Sequence, residues 1–324
     1  MCSCPRPTGW GCQTAPVSRV LVVGAGVVGL SCAVRLLEAG HRVDVLARDL
    51  PRETTSAVAA ALWYPYRALP QDRVTSWAAS TFGELAALAR QPRTGVEMVP
   101  GAEVLRRSTG EPWWAAAVPD LRRGVEVPAG YADSWSFTAP VVEMPVYLDW
   151  LADRVAQLGG TITRLNLSAL PTGAPGVDLV VDCAGLGSRH LAADPSVVPV
   201  RGQVVRVAQV GIDRWTLDAD GPTYVVPRSR DVVVGGTDQE GEWSRTPDPD
   251  VAQEILERAT RLLPELAGAR VLSHRVGLRP VRPRVRLERV GDVVHCYGHG
   301  GAGVTLSWGC ADEVASLTGS AILA

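Results

Sequence analysis

The sequence predicts an α/β fold in which a doubly wound, Rossmann-like domain carries an inserted α+β domain built on a mixed or antiparallel sheet. Two glycine-rich turns, at residues 24–29 and 298–303, each lead from an apolar strand-like run into a helical segment. From residue 67 to 140 short apolar segments and aromatic residues replace this regular alternation, which indicates a separate unit. A chain of 324 residues is long enough for two domains.

The first glycine turn follows an unbroken apolar run at residues 20–23, which is typical of a parallel strand covered on both faces. Gly24, Gly26 and Gly29 have the G-x-G-x-x-G spacing. The first glycine allows the tight turn, the second lets backbone approach a pyrophosphate, and the third lets the helix pack closely. Glycine turns also occur for packing alone, but the strand before it and the helix after it favour a dinucleotide site.

The second strand, at residues 42–47, lacks the acidic end that many dinucleotide folds use to hold the adenosine ribose. Ala47 occupies that position, and Arg48 and Asp49 follow it. Asp44 lies inside the strand, so its side-chain direction decides whether it reaches a ligand. We expect Asp49 to contact the ribose and Arg48 to contact a phosphate or the adenine.

Four later segments offer further contacts. Small and hydroxyl residues at 53–61 suit a pyrophosphate and a flat ring, although an ordinary capped helix is the alternative. The apolar run at 178–183 ends in Ala184 and Gly185, which suits either a cofactor edge or a packing turn. Tyr224 and Val226 share one face of a predicted hairpin strand. Residues 274–284 concentrate arginine between prolines, which restrict the backbone.

Composition excludes several functions. All 32 basic side chains are arginine, so the chain has neither a Schiff-base lysine nor a P-loop lysine. The net charge of −2 gives no indication of a nucleic-acid surface, and no apolar run is long enough to span a membrane. Seven cysteines without zinc-site spacing favour a reducing compartment and no metal. We expect a cytoplasmic protein with a disordered leader at residues 1–18.

A set of motifs runs along nearly the whole chain from Arg19 onward: VGAGVVGLSCA, LARDLP, TTSAVAAALWYPY, VDCAGLG, RGQ, YVVP, GGT, VGLRPVRP and YGHGGAGVTLSWGCA. These motifs, in this order, resemble those of the D-amino acid oxidase family. The resemblance implies FAD as cofactor and oxidation of a D-amino acid to an imino acid, which water hydrolyses to a 2-oxo acid and ammonia. It also implies direct hydride transfer from the substrate Cα to flavin N5, without a general base, and reoxidation by dioxygen to hydrogen peroxide.

The resemblance also implies residue roles. Arg279 binds the substrate carboxylate with its planar guanidinium, and the Tyr224 hydroxyl adds a second contact. The backbone carbonyl of Gly301 receives the substrate amino group. Leu62, Tyr64 and Val226 form the substrate pocket, whose apolar walls favour neutral or apolar substrates. The implied FAD contacts are Gly24, Ala25, Gly26, Val27, Val28, Gly29, Arg48, Asp49, Thr55, Ser56, Ala60, Ala61, Leu62, Ala184, Gly185, Arg279, Gly300, Gly301, Ala302, Gly303, Val304 and Thr305.

The implied domain organisation is discontinuous. Residues 19–62, 141–201 and 276–324 form the FAD-binding domain, and residues 63–140 and 202–275 form the substrate-binding domain. We expect a D-amino acid and dioxygen as partners, and neither nucleic acid nor a membrane. A homodimer is left open.

The chain departs from the family pattern at three places. The segment 215–222 is short and has no tyrosine, which argues against a tyrosine lid. Ala302 replaces a larger residue of some members, and Tyr64 stands where Gln or Asn is common. His299 lies in the second turn, where a structural role is more common than a role as base.

Alternative functions stay open. D-aspartate oxidase needs another cation for the side-chain carboxylate, and Arg228 and Arg275 are available. Glycine or sarcosine oxidase shares the general fold, but Ala47 counts against it. A regulatory nucleotide-binding module without turnover would need the first glycine turn alone.

Overall fold

The computed structural model of the protein describes residues 17–125, 127–218 and 220–319. Residues 1–16 of the predicted leader lie outside these ranges. The α-helices are α1 (Val27–Glu38), α2 (Gln71–Leu88), α3 (Met144–Gln157), α4 (Ser188–Leu191), α5 (Pro249–Leu262) and α6 (Gly303–Gly319). The strands are β1 (Arg19–Val23), β2 (Arg42–Ala47), β3 (Val96–Leu105), β4 (Arg122–Arg123), β5 (Asp133–Val142), β6 (Thr161–Arg164), β7 (Leu179–Asp182), β8 (Val198–Ala208), β9 (Trp215–Asp218), β10 (Thr223–Pro227), β11 (Asp231–Gly235), β12 (Gln239–Glu240), β13 (Val271–Val290) and β14 (Val293–His299).

One half of the sheet is parallel, with the strand order β6-β2-β1-β7-β14. In β1, Val22 lies opposite Val45 of β2 and Val181 of β7, and all three are fully buried. Their burial explains why this strand has an unbroken apolar sequence rather than an alternating one. Helix α1 packs against α3 and α6, and its Leu30 and Val34 lie in the same core.

The other half of the sheet is mainly antiparallel and is joined to the first by the long strand β13. The second part of β13 pairs with β14, and the first part pairs with β8. From β8 the sheet continues through β11, β10, β9, β3 and β5 to β4, and β9 and β3 are parallel. The predicted fold class, doubly wound with a mixed sheet, is confirmed; the domain boundaries stay a prediction.

Helix α5 covers one face of the antiparallel half, and its Ile255 packs with Val205, Val225 and Val234. Val226 lies in the other core, so the predicted alternation of the β10 side chains is correct. In the described part of the chain, no helix combines the length and the apolar character that crossing a membrane requires.

The segment after β2 was expected to offer hydroxyl groups for a pyrophosphate, with an ordinary capped helix as the alternative. The capped helix is not formed, because the chain makes two short 3₁₀ turns, Pro51–Glu53 and Thr55–Val58. Pro51 starts the first turn, and the extended backbone of Thr54 separates the two. A short turn brings the small residues of this segment beside the first glycine turn, where Ser56 accepts a hydrogen bond from the Val27 backbone N–H at 3.0 Å.

Candidate active site

A cavity of about 460 Å³ extends from the first glycine turn to the antiparallel half of the sheet. It brings together nearly all the site residues predicted from the sequence, from both halves of the fold. Ala302 and Thr305 are the two that do not line it. Ala302 is fully buried, and the Thr305 hydroxyl is bound to the Tyr64 backbone, with bonds of 3.1 and 3.0 Å to the N–H and the carbonyl oxygen. The individual roles of the predicted residues stay predictions.

The first glycine turn leaves no room for side chains. Gly24 has a φ of +115°, and a Cβ there would lie 2.4 Å from the carbonyl oxygen of Cys183. A Cβ on Gly29 would lie 2.0 Å from the carbonyl oxygen of Gly24. Helix α1 begins beside the cavity without an acidic residue in its first turn. This tight, positively polarised backbone suits the pyrophosphate of a dinucleotide.

The end of β2 forms the adjacent wall. Asp49 and Arg48 line the cavity and form an ion pair of 2.6 Å. The Arg48 guanidinium lowers the pKa of Asp49 below its usual value, so this carboxylate is available as a hydrogen-bond acceptor. Asp44 binds Arg19 and Thr161 instead, and it does not line the cavity. The alternation of the strand therefore removes Asp44 as a ribose ligand.

The second glycine turn connects β14 to α6. Residues Gly300–Ala302 form a single 3₁₀ turn, and α6 begins at Gly303. A Cβ on Gly301 would lie 3.2 Å from Cδ1 of Tyr66 and 3.5 Å from Cδ of Arg279. The turn therefore lies directly against the arginine that was predicted to bind the substrate carboxylate.

Arg279 lies at the cavity end that is formed by the antiparallel strands. Its Nη1 donates hydrogen bonds of 2.7 Å to Oδ1 of Asp238 and to the carbonyl oxygen of Thr237. Gly202, on the neighbouring strand β8, makes room for it, since a Cβ there would lie 2.5 Å from the guanidinium. The arginine therefore lies across the backbone of β8, with its charge directed into the cavity.

Tyr224 lies beside this arginine. Its ring occupies the space over two glycines, and a Cβ on Gly235 would lie 2.2 Å from it. Burial raises the pKa of Tyr224 above its usual value, and Arg279 opposes this shift. The phenol is therefore protonated at neutral pH and can donate a hydrogen bond. A protonated phenol next to a guanidinium is suited to bind a carboxylate.

Three residues of this region were missed by the sequence interpretation, namely Asp238, Tyr66 and Gly202. Asp238 accepts a short hydrogen bond from the Tyr66 hydroxyl as well as the one from Arg279. Burial, followed by the bond to Asp238, raises the pKa of Tyr66. The motif GGT ends directly before Asp238, and the motif RGQ contains Gly202. The hydrogen bond between Tyr66 and Asp238, however, joins residues 172 positions apart, and no local sequence pattern predicts it.

Apolar side chains surround the rest of this end. Leu62, Val226 and Leu217 line the cavity together with the ring of Tyr64. Tyr64 packs edge-on against Trp114, with ring centroids 5.4 Å apart, and burial raises the pKa of its hydroxyl. The site therefore combines one carboxylate-binding group with largely apolar walls.

Known proteins resemble the chain over nearly its whole length. A family model described as FAD dependent oxidoreductase matches residues 19–317. A D-amino-acid oxidase from Rubrobacter xylanophilus is 53% identical, covering 96% of this chain and 99% of the relative. A D-amino-acid oxidase from Streptomyces coelicolor is 44% identical, covering 92% and 96%. A human D-aspartate oxidase is 39% identical, covering 94% and 96%.

Solved structures share the fold at lower identity. Glycine oxidase from Bacillus cereus aligns with a TM-score of 0.78 at 21% identity, covering 93% of this chain and 94% of that one. L-proline dehydrogenase from P. horikoshii aligns with a TM-score of 0.79 at 14% identity, covering 93% of each chain. These two likenesses concern the fold alone, whereas the family match and the close relatives confirm the resemblance predicted from the motifs. The chain therefore belongs to the DAO family of FAD dependent oxidoreductases, and FAD is its cofactor.

Proposed function

We propose that the enzyme oxidises neutral, mainly apolar D-amino acids to 2-oxo acids, with release of ammonia and hydrogen peroxide. The observation that carries the proposal is Arg279, whose guanidinium lies beside the protonated Tyr224 in a cavity with apolar walls. Relatives named D-amino-acid oxidase, at 53% and 44% identity, support the same reaction.

The cofactor fits the opposite end of the same cavity. The first glycine turn and the α1 N-terminus would hold the pyrophosphate, with Asp49 at the ribose. The second glycine turn and the start of α6 would stabilise negative charge on the ring system. Bound FAD supplies a two-electron acceptor and passes the electrons to dioxygen. Thr305 acts from behind the wall by fixing the backbone of Tyr64.

The protein's own residues position the substrate. Arg279 exchanges its bond with Asp238 for the substrate carboxylate, and Tyr224 donates a second hydrogen bond to that carboxylate. The carbonyl of Gly301 accepts a hydrogen bond from the amino group, which fixes the direction of the Cα–H bond. Orientation by three contacts is the main contribution that the protein makes, because no side chain has to remove the Cα proton.

The charged residues around the substrate end of the cavity favour a substrate with a neutral side chain over D-aspartate. Arg67, a further cation at this end, is already paired with Asp238 at 3.2 Å, so its guanidinium is not free to bind a second substrate carboxylate. Arg228 and Arg275, the cations considered for D-aspartate, line a different pocket, and Arg228 is paired with Asp231 at 2.7 Å. The human D-aspartate oxidase relative keeps this alternative worth testing.

The proposal is tested by measuring peroxide release from the purified FAD-loaded enzyme with a panel of substrates. We expect turnover of D-valine and D-methionine, weak turnover of D-aspartate, glycine and sarcosine, and none of L-valine. In anaerobic solution the same D-amino acids should bleach the yellow flavin. Preference for D-aspartate would identify a D-aspartate oxidase, and a flavin that no substrate bleaches would contradict the proposal.

We also propose a cytoplasmic location and leave a homodimer as a hypothesis for the assembly. The odd number of cysteines in the chain, seven, supports a reducing compartment. Light scattering coupled to size-exclusion chromatography would measure the assembly directly, and localisation of a tagged chain would test the compartment.

A further inference from the structure

Four cysteines that are far apart in the sequence meet behind the wall of the cavity. Cys32 lies on α1, Cys183 follows β7, Cys296 lies on β14 and Cys310 lies on α6. All four are free and buried, and His299 adjoins them. We call these five residues the thiol cluster. Their sequence spacing suggested ordinary isolated thiols, so the grouping is a product of the fold.

The sulfur atoms are close enough to react with one another. The Sγ atoms of Cys32 and Cys183 are 3.9 Å apart. Those of Cys32, Cys183 and Cys296 all lie within 4.8 Å of one another. A second group with the same limit consists of Cys296, Cys310 and one ring nitrogen of His299. Cys296 belongs to both groups and is the centre of the cluster.

Cys183 and Cys296 lie side by side, Cys183 directly after β7 and Cys296 on β14. The two parallel strands pair as far as Asp182 opposite His295, and the two cysteines are the next residue on each side. Laterally paired residues have Cα separations of about 5 Å, which lies within the range that a disulfide can bridge. A bond between Cys183 and Cys296 therefore needs side-chain rotation rather than backbone rearrangement.

The two thiols differ in chemistry. Hydrogen bonds from Cys183 and Cys310 lower the pKa of Cys296 well below the usual thiol value, although burial opposes this effect. The bond to Cys296 and burial both raise the pKa of Cys183. Cys296 is therefore the thiol of the cluster that loses its proton most readily, and the thiolate is the form that reacts with peroxide.

Both residues also line the cavity in which the proposed reaction takes place. Hydrogen peroxide, whether formed there or added, would approach the cluster from this side. Cys32 and Cys310 do not line the cavity, so they are shielded from it. In the described part of the chain, Cys296 therefore combines three features: it lines the cavity, its pKa is lowered, and another thiol lies beside it.

We propose that Cys296 is a peroxide-oxidised site and that Cys183 is its resolving thiol. The Cys296 thiolate attacks one oxygen of hydrogen peroxide, the O–O bond breaks, and a sulfenic acid and hydroxide form. The Cys183 sulfur then attacks the sulfenic sulfur, the S–O bond breaks, and the leaving hydroxide takes a proton to become water. In total two thiols are oxidised to a disulfide while one peroxide is reduced to two waters.

The disulfide would have a structural effect on the cofactor site. The Cys183 carbonyl oxygen packs against Gly24, and the Cys183 Cβ packs against the position of Gly29. A cross-link from Cys183 to β14 would therefore fix the strand that supports the first glycine turn. The proposal uses the proposed function only as one source of peroxide, since added peroxide serves equally well.

The test is peptide mapping of the FAD-loaded enzyme under non-reducing conditions, after treatment with hydrogen peroxide. We expect a cross-linked peptide pair that contains Cys183 and Cys296 and that disappears on treatment with dithiothreitol. In a variant that combines Cys32→Ser, Cys183→Ser and Cys310→Ser, dimedone should label Cys296, because the sulfenic acid then has no neighbouring thiol in the cluster. In Cys296→Ser the cross-link should be lost, and in the matched variant Cys32→Ser it should remain.

A second experiment distinguishes a failure of this proposal from a failure of the proposed function. The enzyme is incubated with D-valine in air, with or without catalase, instead of with added peroxide. A cross-link with added peroxide but not with D-valine would support the cluster and contradict peroxide production. Three results would overturn the cluster proposal: thiols that stay free after added peroxide, a cross-link between Cys32 and Cys183 in its place, or stoichiometric zinc in the purified protein. Mapping of the unsubstituted protein decides the question even if a variant does not fold.

Discussion

The two glycine turns are predicted to perform similar tasks but are supported in different ways. In the first turn two of the three glycines contact backbone, Gly29 against the carbonyl of Gly24 and Gly24 against the carbonyl of Cys183, and Gly26 faces the Ser56 hydroxyl. In the second turn they contact side chains from other segments, such as Gly298 with Arg282, whose Cβ would be 2.7 Å from an added Cβ. The shape of the first turn is therefore set mainly by contacts between backbone atoms, whereas the second turn is packed mainly against side chains.

This structural difference corresponds to two predicted roles. The first turn anchors the cofactor, and the second turn lies beside the residues that bind the substrate. A backbone turn can hold a pyrophosphate that is the same in every cycle, because no selectivity among side chains is needed. The second turn lies against Arg279 and Tyr66, which also contact Asp238. Substitutions in the first turn should therefore abolish cofactor binding, whereas substitutions around the second should change substrate binding or stability and leave FAD in place.

The largest effect is expected for Gly29→Ala. The new Cβ would lie 2.0 Å from the Gly24 carbonyl oxygen, so the turn would have to open. We expect a loss of about 3 kcal/mol in the free energy of unfolding and loss of FAD on desalting. Gly83→Ala is the matched control, since Gly83 lies in α2 with nothing within 4 Å of the added Cβ. It should stabilise the protein by about 0.5–1 kcal/mol.

Urea denaturation and the flavin absorbance of the desalted protein measure both quantities. Equal stability of the two variants would show that the first turn is not a rigid backbone structure.

The next largest effect is expected for Arg279→Leu. Loss of the charge-assisted bonds to the substrate carboxylate should raise KM about 100-fold, which corresponds to about 3 kcal/mol. FAD should stay bound, because Arg279 lies at the far end of the cavity from the first turn. Arg282→Leu is the control: Arg282 is three residues along the same strand, is paired with Asp194, and does not line the cavity.

Steady-state kinetics with D-valine and the flavin content of each variant give the comparison. If Arg282→Leu raised KM as much as Arg279→Leu, the assignment of the carboxylate site would be wrong.

The same contrast explains how much could be predicted from the sequence. The first turn is encoded in consecutive residues, so the strand and the turn were predicted nearly to the residue, and a helix was expected directly after them. Arg279 was assigned through the family motifs, within a segment that is rich in arginine and proline. Asp238 and Gly202 carry no local signal, because their importance comes from contacts across the sheet. The thiol cluster was missed for the same reason.

Asp238→Asn should give a smaller effect, on selectivity. Removing this negative charge beside Arg279 should raise kcat/KM for D-aspartate about tenfold relative to D-valine, equivalent to about 1.4 kcal/mol. Asparagine keeps an oxygen that can accept the bonds from Arg279 and Tyr66. Asp49→Asn is the control, because Asp49 lines the same cavity at the adenosine end. Its substrate ratio should not change, and a change as large as in Asp238→Asn would argue against a local charge effect.

The last effect is on stability rather than on substrate selectivity, and it concerns the side chains that support the second turn. Asp194 accepts hydrogen bonds of 2.9 Å from both Arg282 and the Tyr297 hydroxyl, next to Gly298. Burial raises the pKa of Asp194, but the bonds from Ser196, Arg282 and Tyr297 outweigh it and lower the pKa below the usual value. We expect Asp194→Asn to lose about 1.5 kcal/mol of stability at pH 7.

The pH dependence of this loss is a further test of the same contact. Because the folded-state pKa of Asp194 is lowered, its stabilisation is complete above the unfolded-state pKa of about 3.9 and is lost as the pH falls towards the folded-state value. The difference in unfolding free energy between Asp194→Asn and the unsubstituted protein should therefore shrink below about pH 4. Asp44→Asn removes an exposed ion pair with Arg19 in the parallel half and should cost less than about 1 kcal/mol at any pH. If Asp194→Asn and Asp44→Asn lost the same free energy of unfolding, side-chain contacts would contribute equally to the parallel half and to the second turn. That result would contradict the contrast between the two turns.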